Sequence, residues 1–162
     1  MWPLSQLKDL NVMMLRPTID VDLERLSKSI SDGDLKELRA LSKGDLKITI
    51  LEALQLSVKD CECYTIADEF GAVYAVGGTD EFGCAWFITA SFVRLLTLSE
   101  KREFYELLSM HRDHELDKHY CLWNLVHKEN RPHIKLLEKL GAIFFEAEAA
   151  GAFYVFKITR GG

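Results

Sequence analysis

Positive charge is scarce in this sequence. Its 162 residues carry 20 lysines and arginines against 25 aspartates and glutamates, a formal net charge of −5. A general nucleic-acid or membrane-surface binder needs a basic face, so the balance argues against both. Long apolar runs are missing as well: no stretch approaches the roughly 20 residues of a membrane span, and no secretory signal pattern opens the chain. The four cysteines, Cys61, Cys63, Cys84 and Cys121, make no CxxC pair and have no histidine at zinc-finger spacing. Their apolar, strand-like surroundings point to free, mostly buried thiols in a reducing compartment, and no metal site is expected. Repeats, low-complexity tracts and interdomain linkers are also absent.

What is present fits one globular domain. The length suits a single core, and 48% apolar with 28% charged residues is ordinary for such a domain. Residues 1–12 read as a weakly amphipathic extension, with the domain proper over 13–162; Met13 or Met14 is an alternative natural start. Val12–Arg16 reads as a strand stopped by Pro17. Thr18 or Asp20 is placed to cap a helix with Val21, Leu23, Leu26 and Ile30 on its apolar stripe. Ser31–Asp34 is a turn leading into a second helix through Leu35, Leu38 and Leu41, which Lys43–Gly44 ends. Asp45 is placed to cap a third helix bearing Ile48, Leu51 and Leu54.

The pattern then changes period. Cys61–Ala67, Ala72–Val76 and Cys84–Thr89 read as three strands of an antiparallel meander, turning at Asp68–Gly71 and Gly77–Gly83. A long helix over about Ser99–Lys118 follows, with Phe104, Leu107, Leu108 and Leu116 inward. Cys121–His127 is a strand, and Pro132 sits in the first turn of the next helix, where it is tolerated. That helix carries Ile134, Leu137 and Leu140 and stops at Gly141. Ala142–Glu146 and Ala152–Thr159 close the chain as strands. The strand–helix–strand unit from Cys84 to His127 implies a crossover and a parallel pair within an otherwise antiparallel sheet. His111 and His114 are i, i+3 neighbours on the long helix among Asp113, Glu115 and Asp117. With no HExxH pattern and alternating charges, this helix end is expected to be a solvated face.

Two segments resemble the GNAT superfamily of acyl-CoA N-acyltransferases. Leu15–Asp22 is similar to the "RPat..D" opening of those domains. Val126–Asn130, continuing through Leu136–Gly141, is similar to their "V...N..ai.lYeklGf" signature. A further set is similar to the internal virion protein A family of autographivirus-type short-tailed phages: Cys84–Thr89, Leu122–Val126, His133–Lys135, Leu140–Phe144 and the ending Phe156–Gly162. The resemblance implies an α/β (α+β) fold with a mixed, mostly antiparallel central sheet and helices on both faces. It also implies a role in virion morphogenesis, in the virion or host cytoplasm, with other phage virion or assembly proteins as partners and a host protein as a further one.

In a GNAT enzyme two parallel strands splay apart, and the pantetheine arm of acetyl-CoA pairs with the backbone groups left free. By resemblance these strands are Cys84–Thr89 and Cys121–His127, which makes Phe87, Ile88 and Thr89 cofactor-arm candidates, and Asn130 matches the family's Asn, which contacts that arm. The pyrophosphate needs a glycine-rich R/Q-x-x-G-x-G/A loop at the next helix N-terminus. Thr89–Ser99 contains no glycine, leaving side-chain contacts from Arg94, Lys101 or Arg102. The family's acid tyrosine falls at Leu137, which cannot protonate a thiolate. Asn130 also suits a helix cap, and Trp86 and Trp123, on the splaying strands, suit either core or a narrowed cleft. His133, flanking the cleft with His127, suits a capping or partly buried role. Three readings follow. The first is an assembly protein that keeps the scaffold without catalysis and needs no cofactor. The second is an acetyl-CoA-dependent N-acetyltransferase of a host or phage amine, with its base drawn from Glu69, Glu81 or His127. The third is an anti-host effector that binds one bacterial protein.

Overall fold

The computed structural model describes residues 13–41 and 49–160. The expected extension over 1–12, the helix end at Lys43–Gly44, and Asp45 and Ile48 lie outside the described residues. The element order is β1 (Met14–Pro17), α1 (Asp20–Ser27), α2 (Asp32–Leu41), α3 (Ile50–Val58), β2 (Glu62–Ala67), β3 (Val73–Thr79), β4 (Ala85–Thr89), a short 3-10 turn (Ser91–Leu95), α4 (Leu98–Lys118), β5 (Cys121–His127), α5 (Arg131–Lys139), β6 (Ile143–Glu146) and β7 (Phe153–Thr159). Strands β1-β2-β3-β4 form one antiparallel sheet and β5-β7-β6 a second. A parallel bridge between Cys84 and Trp123 joins them. The expected mixed, mostly antiparallel sheet is therefore split along its parallel seam.

Two apolar clusters hold the layers together. Leu23 and Leu26 of α1 and Leu54 of α3 pack against Val73, Val76 and Ile88 on one face. Phe104 and Leu108 of α4 and Leu137 of α5 pack against Ile66, Ala75, Leu122 and Phe156 on the other. β3 is buried at all of its positions, as a strand covered on both faces must be. Fully burying a leucine such as Leu26 contributes roughly 1.5–3 kcal/mol.

Several local expectations are corrected. β3 continues through Gly77–Thr79, which the sequence suggests as turn. A Cβ on Gly77 would lie 2.8 Å from the Trp86 carbonyl oxygen, and one on Gly78 would lie 2.7 Å from Cys63 Sγ. These glycines serve close packing inside the sheet. The turn itself is shorter: Asp80 Oδ1 accepts from the N–H of Phe82 (2.8 Å) and Cys84 (3.0 Å). Asp68 heads the preceding hairpin in the same way, through Phe70 and Ala72. Neither Thr18 nor Asp20 caps α1. Asp22, fully buried, accepts from the Ile19 N–H at 2.9 Å and pairs with Arg16 at 2.8 Å. That ion pair is the physical content of the Leu15–Asp22 motif. Thr49 caps α3, accepting from the Glu52 N–H at 3.1 Å.

The far end of α4 is not a fully solvated face. Phe104, Leu108, His111 and Glu115 follow one another at spacings of four, three and four, which is one helix face. Glu115, on that inward stripe, is 1% exposed.

Candidate functional site

The splay between β4 and β5 begins at Gly83. The Trp123 N–H donates to the Gly83 carbonyl at 3.0 Å, and the Asn124 side-chain amide donates to the Ala85 carbonyl at 3.0 Å. Beyond this point no strand-to-strand ladder bond joins β4 to β5 among the described residues. α2 supplies carboxylates to the gap. Asp34 Oδ2 accepts from the Thr89 N–H at 2.7 Å and from the Thr89 hydroxyl at 3.0 Å. Glu37 Oε1 accepts from the His127 N–H at 2.6 Å. Asn124 Oδ1 accepts from the Leu125 N–H at 2.7 Å. The three N–H groups of β5 at Trp123, Leu125 and His127 are thus all engaged within the chain, where the resemblance implies groups left free.

Asp34 is the hub. Its other oxygen accepts from Asn130 Nδ2 at 3.0 Å and lies 3.1 Å from His133 Nδ1. Gly33 makes room for this, since a Cβ there would collide with Asn130 Oδ1. The His133 ring lies against Phe87 with centroids 4.2 Å apart. Burial pushes the Asp34 carboxyl up, but the bonds and charge of His133, the Thr89 N–H and Asn130 outweigh it and hold Asp34 below the usual carboxylate range. Burial dominates at Glu37, whose carboxyl is held above its usual range. Asp34, Glu37 and His133 place donor atoms within 4.8 Å of one another, the spacing of a metal ligand set. Both Asp34 oxygens, however, are already occupied by four hydrogen-bond contacts, so the cluster's present chemistry is hydrogen bonding.

The sequence candidates divide. Phe87, Thr89, Arg94 and Asn130 line one groove of about 700 Å³, together with Lys101, Lys135 and His133. Ile88 faces the opposite cluster and is buried. Asn130 holds the N-cap position of α5, but its side chain makes no cap bond and turns to Asp34 instead. His127 lies at the end of β5, its Nδ1 accepting from the Glu129 N–H at 3.1 Å. Glu69 and Glu81 are exposed on the two hairpin turns and line none of the described cavities. Trp123 is 39% exposed and donates to the Phe82 carbonyl, so it is not core. Leu137, at the family's tyrosine position, is 1% exposed. At the start of α4, Thr97 and Glu100 close a capping box: the Thr97 hydroxyl accepts the Glu100 N–H and the Glu100 carboxylate accepts the Thr97 N–H. Asp34, Glu37 and His133 were not singled out as one site by sequence, since nothing local marks an aspartate in a first helical turn as the centre of a cluster.

This architecture is that of the GCN5-related N-acetyltransferases. The structure of such a protein from Kribbella flavida superposes with a TM-score of 0.62 at 16% identity, covering 91% of this chain and 98% of that one. The GNAT domain of S. lividans PAT gives 0.61 at 11% identity, covering 98% and 99%. At these identities the likeness concerns the fold alone. The chain itself belongs to the family of the probable scaffold protein Gp13 of bacteriophage T7, whose profile matches residues 62–148. The probable scaffold protein gp13 of Escherichia phage T7 is 33% identical over 153 residues, 93% of this chain and all of that protein.

Proposed function

We propose that this protein is a phage assembly factor, an internal virion or morphogenesis protein that uses the GNAT scaffold to bind other virion proteins and transfers no acyl group. One observation carries this reading: carboxylates of α2 hold the Thr89 and His127 N–H groups across the splay. A pantetheine arm seeking those donors would have to displace two carboxyl acceptors. The glycine-free segment before α4, its closed capping box and the buried Leu137 support the same conclusion.

A second reading has one specific observation in its favour: the groove that gathers Phe87, Thr89, Arg94 and Asn130. In that reading an acyl-CoA lies there without a phosphate loop, and His127 serves as base. Titration calorimetry of the full chain with acetyl-CoA and with CoA separates the two. The assembly reading expects no heat at submillimolar ligand. Saturable submillimolar binding that Arg94→Ala abolishes would overturn it. Phage lacking the gene are expected to yield defective particles that the wild-type chain restores when supplied in trans.

A further inference from the structure

A narrow crevice of about 60 Å³ runs between α4 and the split sheet. Its walls are mostly apolar, from residues such as Ile66, Leu108, Leu122 and Phe156. Polar side chains interrupt them: Thr79 at the end of β3, His111 and Glu115 one turn apart on α4, and Tyr64 and Arg112, which make hydrogen bonds elsewhere. Thr79 is 4% and Glu115 1% exposed. Among the described residues, Thr79 Oγ1, His111 Nδ1 and Glu115 Oε1 are the buried side-chain polar atoms that no protein group satisfies. All three belong to residues lining this one crevice.

Buried polar atoms in folded proteins nearly always have a partner, either protein or ordered water. The crevice has several times the roughly 10–15 Å³ that one water requires. We propose that it is a hydration site, in which ordered water bridges Glu115, His111 and Thr79 and ties α4 to the end of β3. The other Glu115 oxygen lies 4.0 Å from His119 Nε2, too far for a direct hydrogen bond and within the span a water closes. Burial and the neighbouring His114 push the His111 imidazole down to about 4, so at neutral pH the ring is uncharged and its Nδ1 offers water a donor or an acceptor according to the tautomer. A metal is a poorer guest. Among the described residues, His111 and Glu115 belong to no set of three His, Cys, Asp or Glu donors at ligand spacing. An apolar guest would leave all three polar atoms unsatisfied.

The test is a crystal structure of the full chain at a resolution that orders water, with oxygen-17 relaxation dispersion in solution on wild type, Thr79→Val and Glu115→Gln. The expected result is a water within 3.2 Å of Glu115 Oε1 and of Thr79 or His111. A long-lived water signal in wild type should fall by at least one molecule in Thr79→Val. The proposal is overturned if the three atoms are bonded to protein groups with no water between them, or if the signal is unchanged in a folded Thr79→Val. Should a variant fail to fold, the wild-type density decides alone.

Discussion

Asp34 and His133 meet 3.1 Å apart although 99 residues separate them in the chain. Their contact, with those to Thr89 and Asn130, fastens α2 to β4 and to the start of α5. Removing a partner from a buried, hydrogen-bonded pair costs roughly 3–5 kcal/mol, because the remaining groups stay desolvated. Asp34→Ala is therefore expected to lower stability by about that amount, measured by urea denaturation. The pH dependence has a fixed sign. The folded-state pKa of Asp34 lies below its ordinary value, so its stabilisation is present above an unfolded pKa of about 4 and is lost as pH falls through the folded value. The melting temperatures of wild type and Asp34→Asn should differ at pH 7 and converge toward pH 2. A gap that stays constant across that range would rule out the carboxylate charge as its source.

Glu37 works in the opposite direction. Its folded-state pKa is raised, chiefly by burial, so the stabilisation it contributes is full below about pH 4 and declines as pH rises. Glu37→Gln keeps a carbonyl oxygen for the His127 N–H and removes the charge. The variant should melt at or above the wild-type temperature at pH 7, with the advantage gone at pH 4. A variant less stable at pH 7 than at pH 4, each relative to wild type, would contradict this assignment.

The element order was legible because each element carries a local signal: apolar spacing on the helices, alternation on the strands, aspartate at the hairpin turns. Cys121–His127 is found with the expected boundaries for this reason. Gly77 and Gly78 misled because glycine marks both a turn and a close approach, and only the neighbouring strands decide which. Glu115 was hidden because counting apolar residues along α4 passes over a buried carboxylate. The cleft was half legible. The glycine-free loop and Leu137 are visible in the sequence, whereas the α2 carboxyl groups of Asp34 and Glu37 that hold the strand N–H groups are not. Asp34 reaches Asn130 across 96 residues, a contact that no local pattern encodes.

Gly83 fixes where the splay starts. Its φ is +83°, and an added Cβ would collide with the Cys121 carbonyl oxygen. A non-glycine residue in that region costs roughly 1–3 kcal/mol before any clash is counted. Gly83→Ala should therefore lose at least about 2 kcal/mol and weaken the Trp123 N–H bond to residue 83. Hydrogen exchange at the Trp123 amide is the direct measurement. Protection equal to wild type would show that the bridge does not depend on this turn.

Leu137→Tyr restores the side chain that the family's signature places at this position. In an enzyme dormant only for want of an acid, that change would raise acetyl transfer. Here Leu137, on the inward face of α5, is packed in the core beside the narrow crevice, is 1% exposed and does not line the groove. A phenol adds volume to a filled site and a hydroxyl that needs a partner, an overpacking cost of typically about 1–3 kcal/mol. The expected outcome is a chain that is less stable by that order and releases no CoA above background when incubated with acetyl-CoA and polyamine or peptide amines. Thiol release detected with a disulfide reagent, together with the melting temperature, reads both quantities. A stable variant that releases CoA would mean that the α2 carboxylates yield to a cofactor arm, and the non-catalytic reading would then fail.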